Sequence, residues 1–466
     1  MKNQILLLAS AAIFICCSTA DKTHITFSGN IKNNKEKVLK VSNYNSTLKK
    51  EIPIDSLGNF SGSVLVQKDG YGFFQVGGSY TTARFKKEKD VSVSIDADDF
   101  FRSLEYSGDL KKENNYNVAK SQLRSKLVGD AKEYFVVPME EFLPKISRTR
   151  DTLYALLEKS DLGQKDMAIE KKIIDYEYLQ TYNNYQKFYS YHKKVEAVLP
   201  GDYYEPIINM DTDDDEIFRH SRAYRNLIVA NFRHSSKKAM SMDPTLTIIE
   251  FVKNKIANLK SIDIREQFAS LLIRQMKEEN DNLDDDYNKI MSLFSTDRMK
   301  GKLTQRYKSA KETTSGQVAV DFDYENFAGG RTSLKDLSGK LLYIDVWATW
   351  CGPCIKEMPA LKELVKEYAK KNIEFVSISI DYKSDYEKWR KMVPEKNVGG
   401  LQLYDSEGLN SSFMKAFSVS LIPRFMMIDA EGKIITANAP RPSSKEVREY
   451  IDAQLNKPKK MNFTSN

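Results

Sequence analysis

Two cysteines three residues apart, in Trp350-Cys351-Gly352-Pro353-Cys354, are the side chains of this sequence best placed to do chemistry. A thiolate is both a nucleophile and a metal ligand, so the spacing admits a redox dithiol, half of a zinc site or a structural disulfide. A zinc site needs two more Cys or His ligands, and His24, His192, His220 and His234 stand apart, with no HExxH and no second Cys/His pair. The elements around the pair favour the redox reading. Leu341 to Trp347 is a near-continuous apolar run suited to a central strand covered on both faces. After the motif, Met358, Leu361, Leu364, Val365 and Tyr368 mark one face of a helix over Ile355 to Lys371. Cys351 then lies at a helix N-terminus, where the dipole and free N–H groups lower a thiol pKa. Pro353 suits a first helical turn, and Cys354 is within reach of Cys351 for a short, reversible disulfide.

The other two cysteines, Cys16 and Cys17, sit in a leader. Lys2 precedes a thirteen-residue apolar run, Ile5 to Cys17, and Ser18-Thr19-Ala20 fits a small-residue cleavage site. This is the layout of a secretory signal over residues 1–20; thirteen residues fall short of the roughly 20 that a spanning helix needs. A Cys closing the run also resembles a lipoprotein signal, but the small residue expected just before Cys17 is missing, so lipidation there is the alternative to simple cleavage. Either route leads to the cell envelope or periplasm. The exported chain keeps Cys351 and Cys354 as its protein thiols in an oxidising compartment.

The rest of the 466 residues bounds the possibilities. At about 150 residues per domain the length predicts roughly three domains. Hydrophobic residues at 41% and charged residues at 29% exclude wholesale disorder. The net charge of +7 is spread thinly, which argues against nucleic acid as a partner. Residues 21–108 read as short strands broken by turns at Gly29-Asn30, Leu57-Gly58-Asn59 and Gly77-Gly78, a β-rich module of sandwich type. Residues 109–314 are helical in pattern. There, Ile174, Tyr178, Tyr182, Tyr185 and Tyr189 share a helix face, as a ligand platform or, more simply, a packing seam. Asp211-x-Asp213-x-Asp215 lacks the Gly and final Glu of a calcium loop and reads as a solvated loop. Lys308 to Gln317 reads as a polar linker, 315–456 as alternating strands and helices, and 457–466 as a polar tail.

Trp347-Ala348-Thr349-Trp350-Cys351-Gly352-Pro353-Cys354 resembles the active site of thioredoxin-fold proteins. Its surroundings resemble the envelope-located TlpA/ResA-like branch: Thr332 to Lys340 ahead of it, Lys356-Glu357-Met358-Pro359 after it, and Ser420 to Asp429 followed by Glu431-Gly432-Lys433. The resemblance covers about Val318 to Leu455. It implies a multidomain α+β protein with a C-terminal thioredoxin fold (α/β), with Cys351 as attacking and Cys354 as resolving thiol of a redox disulfide. It further implies a cis Pro423 facing that disulfide, Ile422 with backbone free to pair with substrate, and a helix kinked at Pro359. Trp350, Gly352, Pro353, Ile422 and Pro423 would line the substrate groove. Asp345 and Glu357 each match an acid of a different branch, and either would take the proton of Cys354; the simpler reading of Glu357 is a solvated surface residue. Leu421 and Arg424 depart from the common Gly and Thr of the pattern and leave substrate identity open.

The expected activity is that of an exported thiol–disulfide oxidoreductase acting on disulfide-containing envelope proteins. No flavin or nicotinamide fingerprint is present, so no cofactor is expected, and a membrane electron donor must re-reduce the pair. A peroxidase would need Thr-x-x-Cys, which Ala348-Thr349-Trp350-Cys351 lacks. An envelope binding module with a secondary redox domain is the reading from a different class.

Overall fold

The computed structural model describes residues 23–44, 49–277, 280–397 and 399–457. The leader with Cys16 and Cys17, and the tail beyond Lys457, lie outside the described residues. The chain divides into two compact units, one running to Leu246 with Ala257–Phe268 added, the other holding Thr247–Ile256 and everything from Ala269 on.

In the first unit, alternating apolar and polar residues build two four-stranded sheets. Strands β1 (His24–Lys32), β2 (Val38–Asn43), β3 (Lys49–Pro53), β4 (Asn59–Leu65), β5 (Gly70–Val76), β6 (Ser79–Phe85), β7 (Val91–Asp96) and β8 (Glu105–Gly108) order as β4-β1-β7-β8 and β3-β2-β5-β6. Alternation lets each strand turn one face inward. Phe27 of β1 is fully buried, with the rings of Phe60, Phe74 and Phe85 at 5.4, 5.3 and 5.5 Å around it.

Long helices follow, among them Lys111–Val128, Met139–Glu158, Gln164–Lys193 and Arg222–Met242. The tyrosine face lies on Gln164–Lys193 and is a packing seam: Tyr185 is buried against Phe142 at 4.5 Å between centroids, and Tyr182 stacks on Tyr203 at 4.3 Å. The aspartate loop is less solvated than its composition implies. Asp213 accepts the backbone N–H groups of Lys260 and Ser261 at 2.9 and 3.0 Å, and Asp214 caps the helix Asp215–His220. Partners 47 and 48 residues away leave no mark on the local composition.

The second unit is built on a seven-stranded sheet. Its strands β9 (Asp323–Asn326), β10 (Arg331–Ser333), β11 (Leu341–Trp347), β12 (Ile373–Ser379), β13 (Leu401–Tyr404), β14 (Arg424–Ile428) and β15 (Ile434–Thr436) order as β10-β9-β13-β12-β11-β14-β15. Every residue of β11 is buried, as its apolar run demands of a strand between layers. It pairs in parallel with β12 and antiparallel with β14. Gly400 admits β13 beside β12: its φ is +67°, and a Cβ there would sit 2.5 Å from the Phe375 carbonyl oxygen.

The expected linker is built into this unit. Lys308–Glu312 close the helix Asp297–Glu312, and Ser418 Oγ donates to Ser309 Oγ at 2.6 Å. Gly316 N–H donates to Ile434 O at 2.7 Å, and Ile434 N–H to Gln317 O at 2.8 Å, so the segment runs alongside β15. Polar side chains mark solvent exposure but say nothing about where backbone groups find partners.

Candidate active site

The site forms at the C-terminal end of β11, the central strand. There the chain turns through Ala348, Thr349 and Trp350 into the helix Gly352–Glu367, with Cys351 as its N-cap. Cys351 and Cys354 form a disulfide with Cα atoms 5.3 Å apart, and Cys351 Sγ accepts the Cys354 N–H at 3.2 Å. A sulfur at this position faces the unpaired N–H groups and the positive end of the helix dipole, which stabilise it as a thiolate once the pair is reduced. Both cysteines are buried in this oxidised state. The helix continues through Pro359.

Sheet register brings distant residues to this loop. Val346, the next-to-last residue of β11, pairs with Arg424, which brings the start of β14 to this end of β11, and the Ile422–Pro423 peptide bond just before Arg424 is cis. Ile422 and Pro423 are half-buried, while Gly352, Pro353 and Trp350 are exposed, Trp350 by 52%. Trp350 stacks on Tyr382, centroids 6.4 Å apart, and Leu421 is 72% exposed. Arg424 Nη1 donates to the Ala437 carbonyl at 3.2 Å.

Two acids are buried close to each other in this unit. Asp345 is buried on β11, its Oδ1 has no hydrogen-bond partner, and burial together with the nearby charge of Glu357 pushes its carboxyl up to about 8. Glu357 is not the solvated surface residue of the simpler reading. It is 9% exposed and lies on the helix face that also buries Cys354, Met358, Leu361 and Leu364. Its carboxylate accepts the Ser443 N–H and Oγ–H, both at 3.0 Å, with Arg441 Nη1 at 3.8 Å. The i, i+3 relation to Cys354 puts Glu357 on the inner face; Ser443 supplies what lets a carboxylate stay there. Asp345 and Glu357, which matched two different branches, thus share one site.

Sequence reasoning passed over Asp381. Its fully buried carboxylate accepts the Thr349 N–H through both oxygens at 3.0 Å, Thr349 Oγ1–H at 2.7 Å and Ser379 Oγ–H at 2.7 Å. Those bonds hold the loop that presents Cys351. A polar Ser379-x-Asp381 closing the apolar run of β12 was the available signal, but only the pairing of β11 with β12 connects it to Thr349. Ser443 and Arg441 carried no signal at all. Among the described residues no group of three or more His, Cys, Asp or Glu side chains could hold a metal ion.

A Redoxin family model matches residues 314–453. Thioredoxin-like protein YneN of Bacillus subtilis is 32% identical over 138 residues, covering 29% of this chain and 78% of that protein. Thiol-disulfide oxidoreductase ResA of Bacillus cereus is 29% identical over 150 residues, 32% of this chain and 84% of that one. A solved thiol-disulfide oxidoreductase from Bacteroides fragilis is 26% identical, with 30% of this chain and 99% of that chain covered and a TM-score of 0.26. Through its last third, the chain belongs to the thioredoxin-like thiol–disulfide oxidoreductases.

Proposed function

We propose that this oxidoreductase is exported and reduces disulfides of envelope proteins through Cys351 and Cys354. The observation that carries the reading is a disulfide at the N-terminus of a helix that follows a wholly buried strand. In the reduced protein the Cys351 thiolate attacks one sulfur of a substrate disulfide, and the other substrate sulfur leaves as a thiolate and is protonated. Cys354 then loses its proton and attacks Cys351 Sγ, which releases the second substrate thiol and closes Cys351–Cys354. Two electrons have passed to the substrate, and a membrane donor returns two to the pair.

Asp345 suits proton exchange with Cys354, because a carboxyl raised to about 8 has nearly the proton affinity of a thiol: it holds a proton in most molecules at neutral pH, and its ionised fraction accepts the Cys354 proton. Glu357, tied to Ser443, adds the like charge that keeps Asp345 basic. Substrate would lie along Trp350, Gly352, Pro353, Ile422 and Pro423. The Gly-Pro dipeptide favours the reducing direction: thioredoxin lies near −270 mV and DsbA near −120 mV, a gap of about 7 kcal/mol. Residues 1–20 direct export, with lipid attachment at Cys17 as the other route to the envelope; no described helix is long and apolar enough to cross a membrane. The reading keeps 21–108, 109–314 and 315–456 as the β-rich, helical and thioredoxin-like regions.

The test is trapping. Cells carrying Cys354→Ser should accumulate reductant-sensitive mixed disulfides with envelope proteins on non-reducing gels, and Cys351→Ser should not. Trapping by neither variant would reject the reductase reading.

A further inference from the structure

The first unit holds a cavity of about 500 Å³ that the redox chemistry does not use. It lies among β5, β6 and the helices Lys111–Val128, Gln164–Lys193 and Arg222–Met242. Its floor is a buried polar network. Lys120 Nζ donates to Glu170 Oε2 at 2.6 Å and lies 3.8 Å from Glu177 Oε1, and Tyr71 OH donates to Glu170 Oε1 at 3.1 Å. Glu170 and Lys120 thereby satisfy each other.

Two acceptors on the wall are left over. His220 is 5% exposed and lines the cavity; its Nδ1 lies 2.7 Å from the Glu216 carbonyl, which can only accept, so Nδ1 carries the hydrogen. Burial, assisted by the charges of Arg84 and Arg219, keeps the ring below its usual pKa and therefore neutral at pH 7. Its Nε2 is then a buried lone pair without a partner, and Glu177 Oε2 is a second. A buried polar atom left unpaired is destabilising, so both point to a donor that arrives from outside.

Three guanidinium groups, Arg124, Arg222 and Arg225, also line the cavity. Arg124 has one long contact, to Thr181 Oγ1 at 3.4 Å, and among the described residues Arg222 forms no ion pair. Burial, with the neighbouring charge of Arg222 adding to it, lowers Arg225 to about 10. With Lys120 matched by Glu170, Glu177 is the one lining carboxylate against three guanidiniums, and an anion is favoured. The donors for His220 and Glu177 should be neutral: an ammonium at Glu177 Oε2 would sit close to Lys120 Nζ and be repelled. Hydroxyls meet that need, and Tyr71 and Phe73 offer aromatic surface for the carbon skeleton. We propose that this cavity binds a small hydroxylated anion, a carboxylate or phosphate carried on a polyhydroxyl skeleton.

Calorimetric titration of the full-length oxidised protein with D-glucuronate and with glucose 6-phosphate tests the assignment. At least one should bind with a Kd of about 1 mM or below. Glucose, which has hydroxyls without charge, and acetate, which has charge without hydroxyls, should bind at least about tenfold more weakly. Arg222→Gln, at an exposed side chain without an ion pair among the described residues, should weaken binding about tenfold, and His220→Phe should do so by removing Nε2. Absence of heat with both anions up to about 20 mM overturns the proposal. So does binding that neither variant changes, or free lysine binding as tightly as the anions. None of these residues lies in the redox unit, so the outcome leaves the disulfide chemistry where it stands.

Discussion

Buried charge is handled in opposite ways in the two units. Under the cavity of the first, Lys120 sits between Glu170 and Glu177, and Arg84 pairs with Asp166. Burial alone would pull Lys120 down, but the two carboxylates more than reverse that, so it stays charged throughout the neutral range. In the second unit Asp345 is equally buried, and the charge beside it is another carboxylate, Glu357. Its proton affinity is raised as a result, not its ion pairing. Opposite charges brought together make a rigid joint between strand and helices. A carboxyl isolated next to its like makes a group that exchanges protons near neutral pH.

Four experiments test that contrast. Cys351→Ser should lower disulfide reductase activity by at least about a thousandfold without unfolding either unit, measured by turnover of a small disulfide substrate. Lys120→Met should leave activity of the folded protein intact but destabilise the first unit by about 3–5 kcal/mol, because Glu170 and Glu177 lose their buried counter-charge. Urea denaturation reads this loss. Adding Glu170→Leu and Glu177→Leu should recover most of it; if the triple variant is as unstable as the single one, the pairing argument fails.

Asp345→Asn should act with the opposite sign. The folded carboxyl titrates near 8 against an ordinary 3.8, so between those values the folded state holds a proton that the unfolded state has released. Stability must then fall as pH rises from about 4 to about 8. Asp345→Asn should remove that decline and stabilise the second unit at pH 7 by a few kcal/mol, on the order of 4 from the gap between pH 7 and 3.8. Denaturation midpoints at pH 5 and pH 8 check it, and an unchanged pH slope would count against the raised carboxyl. The smallest effect belongs to Glu357→Gln. Burial is the larger cause of the displacement and Glu357 the lesser, so the variant should lower the Asp345 midpoint yet leave it well above 3.8. Carbon NMR titration of the aspartate carboxyls follows this directly.

Much of the redox unit is legible in the sequence. The apolar run of β11 could only be covered on both faces, and a helical period beginning right after it placed Cys351 at a helix start. Local rules of this kind act over a few residues, which is also why they found the β-rich region at the N-terminal end. They failed for Glu357, whose neighbour Lys356 made a solvated surface plausible, and for Lys308–Gln317, whose composition is that of a tether while its backbone pairs with β15. Asp381 shows the same limit from the other side: nothing within ten residues of it indicates that it holds Thr349, 32 residues earlier.

By itself, then, the sequence determined the reactive atoms and the elements that carry them, because nucleophilicity, helical period and strand apolarity are properties of residue type and short spacing. Only the tertiary structure decided which groups tune those atoms. Ser443 reaches Glu357 across 86 positions, strand register sets Arg424, the residue after Pro423, beside Val346, and His220 meets Tyr71 at 5.9 Å between ring centres. Such contacts arise from chain closure over long intervals, and the pKa of a carboxyl depends on what closes around it, not on its neighbours in the chain.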